Sequence, residues 1–278
     1  MPELPETETI ARELDRCLAG RRLDDVRLTR RDIVHGDPRP LSRTLPGRRV
    51  ERVHRRGKRI ILELQPAAQL IFHLGMSGRL SVCPRSQSIE PHTHLRIAIA
   101  RTARELRFID PRRFGGVWCL CGGKRHCGRP LAELGLEPLE MTPTHFGRIL
   151  SRKRQIKALL LDQQTIAGLG NIYCDEALHT ARLHPVTRAD TLDSDQAGRL
   201  FRAIRSTLRK AIQHKGSTLK DYRRPDGQAG GFQKFHRVYD REGQPCRTCS
   251  GAIVRCIAAG RSTFYCPVCQ PVGKVVRS

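Results

Sequence analysis

Apolar positions recur every fourth residue near the start of the chain. Ile10, Leu14 and Leu18 share one side of the stretch after Pro5, and Gly20 follows, so the spacing predicts one amphipathic helix over about 5–18. Pro5 suits its first turn, where a missing N–H costs nothing. The period then shortens to two. "RIILEL", "QLIFHLGM", "HLRIAIA" and "RELRFID" are short, partly alternating and separated by Gly, Pro and Asp turns, so residues 21–120 read as β-strands. Gly122, Gly123, Gly128 and Pro130 interrupt any periodicity over 121–141, which reads as a connector. Helical spacing returns with Thr142 as N-cap and Pro143 in the first turn, running on through "THFGRILSRKRQIKALLLDQ". A short helix is predicted from Gly170 to Ala181, ended by His184–Pro185. Another spans Ser194 to His214, with Leu200, Ile204, Leu208, Ala211 and Ile212 on one side and Gly216 as its stop. Residues 216–232 form a polar, glycine-rich loop, and the last forty or so residues form a small cysteine-bearing unit.

Charge adds a partner to this picture. The 278 residues carry 51 Lys+Arg against 27 Asp+Glu, a formal net charge of +24, and residues 21–59 alone hold 14 basic against 5 acidic side chains. An excess of that size points to a polyanion, nucleic acid or an anionic membrane surface. No apolar run approaches the 18 or so residues of a spanning helix, and the start has neither a basic region nor an apolar signal core. The expectation is a cytoplasmic protein with no membrane partner. Eleven cysteines, an odd number, favour reduced thiols and a metal site over a disulfide framework.

The sharpest chemical pattern lies in the tail. "CRTC" at Cys246–Cys249 and "CPVC" at Cys266–Cys269 are two C-x2-C knuckles separated by sixteen residues, a spacing that delivers four thiolates to one structural Zn²⁺. A tail this short has too little core to fold without such a staple. Between the knuckles "AAGRSTFYC" predicts a hairpin whose tip presents Arg261, either a solvated charge or a phosphate contact. Cys119 and Cys121, with His126 and Cys127 nearby, suggest a second metal but lack the paired C-x2-C spacing of the tail, so incidental thiols are the better reading. "GLGN" at Gly168–Asn171 resembles half a dinucleotide fingerprint. It follows a helix and lacks the third glycine, so no nucleotide cofactor is expected. A tight turn opening a helix whose first amides and Asn171 face a phosphate fits better. Lys58 in "HRRGKRI" offers a further phosphate ligand from a strand edge.

"MPELPETETI" reads by composition as an ordinary helix entry. A second reading is chemical. Methionine before proline is normally trimmed, which leaves Pro2 a free secondary amine with a pKa of about 7.7–8.0, lowered further at a helix start. Such an amine attacking a sugar aldehyde carbon gives an iminium that cannot shed its charge and so draws electrons from the next bond to break. Glu3 beside it can move protons.

The start "PELPETE", the "GKRI" strand, "HLGMSGRL", "DPRRFGG", "GLGNIYCDEAL" and the closing "GRSTFYCPVCQ" together resemble formamidopyrimidine-DNA glycosylase, over the whole chain and in order. The resemblance implies a multidomain α+β fold. Its parts are an N-terminal β-sandwich with flanking helix over 1–125, a helix–two-turn–helix domain over 126–234 and a C-terminal β-hairpin zinc finger over 235–278. It implies a monomeric enzyme that binds damaged double-stranded DNA, excises 8-oxoguanine and formamidopyrimidines and then cleaves the strand by β,δ-elimination. Carried over residue by residue, Pro2 matches the nucleophile and Glu3 the general acid/base. Lys58, grouped with them as catalytic, also matches a phosphate clamp together with Asn171 and Arg261. Met76, Arg112 and Phe114 match the side chains that fill the gap left by an extruded base, and His73 is a candidate backbone contact. The 216–232 loop matches the lesion cap in position. Two alternatives stand. One is an endonuclease VIII-like glycosylase for oxidised pyrimidines, whose start reads "PEGPE" where this chain has "PELPE". The other is a zinc-containing DNA-binding protein without catalysis.

Overall fold

The computed structural model describes residues 2–121 and 130–272, so Gly122, Gly123, His126, Cys127 and Gly128 of the expected connector lie outside the described residues. The chain is mixed α+β and divides into two compact units, Met1–Glu133 with His214–Gly231, and Leu134–Gln213 with Phe232–Ser278.

The first unit opens with α1 (Leu4–Leu18), whose Ile10, Leu14 and Leu18 are buried as their spacing predicts. Beyond it come β1 (Leu23–Leu28), a short α2 (Arg39–Thr44), β2 (Arg49–Arg56), β3 (Arg59–Gln65), β4 (Ala68–His73), β5 (Arg79–Pro84), β6 (Thr93–Ile99), β7 (Arg104–Ile109) and β8 (Gly116–Cys121). They form two antiparallel four-stranded sheets, ordered β2-β3-β4-β8 and β1-β6-β7-β5. Because successive side chains of a strand point to opposite faces, Ile60, Leu62 and Leu64 of β3 enter the main core. That core draws on both sheets and on α1. Ile61 points the other way and packs with Ile71 and Trp118. Burial on both faces explains why "RIILEL" reads as an almost unbroken apolar run.

The 214–231 stretch, expected beside the helical domain, groups with this first unit. Its interior is tied to α1. Ser217 N–H donates to Glu6 Oε1 at 2.7 Å, Arg224 pairs with Glu13 at 2.7 Å, and Tyr222 enters the core.

In the second unit the single long helix expected after Thr142 is two. Thr142 caps α3 (Pro143–Leu150) by accepting from His145 N–H, and α4 (Ile156–Leu161) follows a break at 151–155. The cause is distant in sequence. Ile156 N–H donates to Thr187 O at 2.8 Å and Ala189 N–H to Arg154 O at 2.9 Å, so the intervening segment pairs with 185–189 instead of its own preceding turn. The next helix, α5 (Asn171–Ala181), ends at Ala181 as its pattern predicts, and its stop is Arg182 in the left-handed region (φ 58°), ahead of His184–Pro185. It packs on α6 (Ser194–Gln213), which buries Leu200, Ile204, Leu208 and Ala211. The tail hairpin is β9 (Val254–Ala258) with β10 (Arg261–Tyr265).

Glu176 of α5 fixes the entry to that tail. Its Oε1 accepts from the backbone N–H groups of Arg237 at 3.0 Å, Val238 at 3.0 Å and Tyr239 at 2.9 Å. Burial pushes its carboxyl pKa up, against the pull of those amides. Glu176→Ala leaves buried donors unsatisfied and is expected to cost on the order of 3 kcal/mol in urea unfolding. Glu176→Gln keeps one oxygen and should cost clearly less. Equal losses for the two variants would contradict the capping role.

Candidate active site and nucleic-acid interface

The first residues of the chain are built into the first unit. Pro2 and Glu3 are buried, and Glu3 is the N-cap of α1. Glu6 makes this possible: its Oε2 accepts from Glu3 N–H at 2.8 Å, which settles an amide that the helix cannot satisfy itself. The same carboxylate holds Ser217. Gly216 sits against it at φ +75°, where a Cβ would meet Glu6 Oε1 at 2.6 Å. The signal that could have marked Glu6 is its three-residue spacing from Glu3, that of a capping box.

Lys58 lies in the turn joining β2 to β3, beside Gly57 (φ +56°), and is only 8% exposed. His73 ends β4, opposite Arg59 of β3. Burial, with the charges of Arg59 and Lys58, pushes the His73 pKa down to about 3, so its imidazole is neutral at physiological pH.

Met76, Arg112 and Phe114 come together on two adjoining turns. Gly75 has φ +57°, and a Cβ there would lie 2.4 Å from Phe114 C, so the two backbones touch. The buried Asp110 carboxylate organises both turns. It accepts from Ser77 Oγ at 2.7 Å and from the N–H groups of Gly115 at 2.8 Å and Arg112 at 3.3 Å. Met76 is 42% exposed and Phe114 56%, which rules out a core role for either. The Arg112 guanidinium sits 4.6 Å over the Phe114 ring. Asp110 opens the "DPRRFGG" stretch, and no local spacing marks it as the brace.

Asn171 and Arg261 belong to the second unit, and the structure joins them through Ser262. Asn171 is the first residue of α5, and its Nδ2 donates to Ser262 O at 2.7 Å. The turn before it is braced by Gln163, which accepts from Gly168 N–H at 2.9 Å and donates to Leu169 O at 2.7 Å. Arg261 stands exposed beside the Ala259–Gly260 tip, as expected. Behind it the fully buried Lys157 bonds Asp175 Oδ1 at 2.6 Å and Thr263 Oγ1 at 2.7 Å, while Asp175 Oδ2 accepts from Phe264 N–H at 3.0 Å. Burial raises the Asp175 carboxyl to about 7 against the pull of Lys157.

The sulfurs of Cys246, Cys249, Cys266 and Cys269 all lie within 4.8 Å of one another. Tetrahedral Zn–S bonds of about 2.3 Å place sulfurs about 3.8 Å apart, and Cys249–Cys266 and Cys246–Cys269 lie at 3.4 and 3.9 Å. Backbone N–H groups of Thr248 and Cys269 point at Cys246 and Cys266 sulfurs, each at 3.4 Å, as suits thiolates. The four residues fit one structural zinc. Cys119 and Cys121 lie 3.3 Å apart on β8; the residues that raised a second metal beside them are outside the described residues.

Three family models match successive stretches of the chain. The formamidopyrimidine-DNA glycosylase N-terminal domain matches residues 1–117, the H2TH domain of the same family residues 134–223, and the zinc finger found in FPG and IleRS residues 243–272. The chain belongs to the formamidopyrimidine-DNA glycosylase family. It is 43% identical to a formamidopyrimidine-DNA glycosylase of Thermus thermophilus, covering 98% of this chain and 100% of that one. A Lactococcus lactis FPG mutant in complex with Fapy-dG-containing DNA superposes with a TM-score of 0.89 at 32% identity, over 98% of this chain and all of that chain. The wild-type L. lactis protein bound to DNA containing an oxidised pyrimidine gives 0.88 at 32% identity with the same coverage. Among the described residues no helix is long and apolar enough to cross a membrane.

The depressed His73 pKa has a measurable consequence. Its folded value lies below the ordinary 6.5, so the unfolded chain takes up a proton first as pH falls. Its contribution to stability is therefore whole above about pH 6.5 and is lost progressively toward pH 3, at no more than about 1.4 kcal/mol per pH unit. Stability of His73→Gln should fall less steeply than that of the parent between pH 6.5 and 4 in urea titrations. Parallel slopes would contradict the assignment.

Proposed function

We propose that the chain is a bifunctional DNA repair enzyme, a glycosylase that excises oxidised purines from duplex DNA and a lyase that cleaves the resulting abasic site. The observation that carries this reading is family membership across the whole chain, combined with the burial of Pro2 and Glu3 at the start of α1. The complex of L. lactis FPG with Fapy-dG DNA supports the purine substrate.

In this reading Met1 is removed and the Pro2 nitrogen attacks C1′ of the damaged nucleotide as the bond from C1′ to the base breaks. The departing base takes up a proton, and ring opening of the sugar leaves an iminium between Pro2 and C1′. Position at the positive end of α1 keeps a larger fraction of the amine neutral. Loss of a C2′ proton expels the 3′ phosphate, and a second elimination expels the 5′ phosphate. Glu3 carries the protons. Lys58, Asn171 and Arg261 hold the phosphates flanking the lesion, with His73 as a further backbone contact. Met76, Arg112 and Phe114 enter the stack, replacing contacts that the extruded base gives up. The 216–232 loop covers the base. Zinc is structural: it supplies the cross-link that keeps the hairpin and Arg261 in shape. The enzyme is expected to act as a monomer in the cytoplasm.

A reading as a glycosylase for oxidised pyrimidines keeps one specific support, the oxidised-pyrimidine complex of the L. lactis protein. Cleavage of matched duplexes containing 8-oxoguanine, formamidopyrimidine or thymine glycol separates the two. The purine lesions should be cut at least about tenfold faster by kcat/KM, and Glu3→Gln should slow base removal by about 10² or more while keeping lesion binding. Preference for thymine glycol would establish the pyrimidine reading, and binding with no cleavage of any lesion the non-catalytic one.

A further inference from the structure

One side of α5 carries a row of side chains that all reach into the tail. Asn171, Asp175 and His179 are four residues apart and therefore share a face. The first two hold backbone groups of the hairpin, Ser262 O and Phe264 N–H. His179 reaches the metal site itself. It is 3% exposed, and its Nε2 lies 3.4 Å from Cys246 Sγ.

A thiolate that binds zinc has no proton to give, so a bond at this distance needs the proton on the imidazole. The opposite tautomer would set a nitrogen lone pair against the sulfur lone pairs and would bury an N–H at Nδ1. Nδ1 is buried with no hydrogen-bond partner among the described residues. A proton on Nδ1 would be a buried donor with no acceptor among the described residues, whereas a proton on Nε2 has the Cys246 sulfur to donate to. Both considerations select Nε2–H. Cys246 then receives two donors, this ring N–H and the backbone N–H of Thr248 at 3.4 Å. Four thiolates on one Zn²⁺ carry a net charge of −2, and each donor draws off some of it.

The geometry points to His179 as a positioning residue for the metal site, donating Nε2–H to the zinc-bound thiolate of Cys246 and thereby slowing zinc loss. The inference rests on the assignment of zinc to the four cysteines. It links the zinc to the helix whose first residue is Asn171, so that one rigid element holds both.

The test uses full-length, zinc-loaded protein and a chromophoric chelator in excess. His179→Phe keeps a flat ring and removes the donor; it should release zinc about tenfold faster than the parent, the lower end of what loss of an outer hydrogen bond costs a metal site. His179→Gln returns an amide N–H at similar reach and should recover most of the difference. In ¹⁵N-histidine-labelled parent protein, long-range ¹H–¹⁵N spectra should show the Nε2–H tautomer, and cadmium-113 substitution should couple that proton to the metal. Release at the parental rate from His179→Phe, or an Nδ1–H tautomer in the parent, would overturn the inference. Should His179→Phe fail to fold, the parent spectra decide alone. Parent protein that purifies without zinc would instead overturn the metal assignment beneath it.

Discussion

A carboxylate at the first turn of α1 makes the start of the chain usable. Glu6 accepts from Glu3 N–H at 2.8 Å and from Ser217 N–H at 2.7 Å, so one buried side chain fixes both the terminus and the base of the 216–231 loop. Without it, a buried helix start would leave amides unsatisfied, each costing about 1–3 kcal/mol. A chain end is ordinarily the least ordered part of a domain. Here Thr7 Oγ donates to Glu3 O at 2.8 Å and Leu4 is fully buried, so Pro2 is attached to a rigid element. Chemistry that depends on placing one amine against one carbon needs that rigidity.

The same device recurs with other carboxylates. Asp110 gathers Ser77, Arg112 and Gly115, and so presents Met76, Arg112 and Phe114 from one platform. In the second unit Asp175 and Glu176, adjacent on α5, take the backbone of the hairpin and of residues 237–239. In each case a carboxyl group buried among hydrogen-bond donors organises a loop that would otherwise have no local reason to hold its shape. The exposed cationic and apolar groups are then free to meet a ligand.

How far the sequence anticipates this depends on the range of the interaction. Local patterns were legible: the four-residue spacing of Ile10, Leu14 and Leu18, the short apolar run in "RIILEL", Thr142–Pro143 as a helix start, and the paired knuckles whose sulfurs do converge. The residues themselves offered Pro2 as an amine and Lys58, Asn171 and Arg261 as phosphate ligands; resemblance selected these readings over the ordinary ones, since no spacing rule singles out one lysine among many basic residues. What escaped was long-range. The break at 151–155 exists because Ile156 pairs with Thr187, and nothing in "SRKRQIK" itself forbids a helix. Asp110, Glu176 and His179 look like ordinary polar positions until partners 33, 61 and 67 residues away are placed beside them, and the second bond of Glu6, to Ser217, spans 211 residues.

The central claim is that the amine fixed at the start of α1 carries the reaction. Its most direct test is to locate the covalent bond. A duplex with a single abasic site is reduced with borohydride in the presence of the enzyme, the conjugate is digested, and the modified peptide is sequenced by mass spectrometry. The account predicts a chain that begins at Pro2 with the sugar remnant on its nitrogen. A remnant on Lys58 or another lysine, or on a chain that still carries Met1, would contradict it.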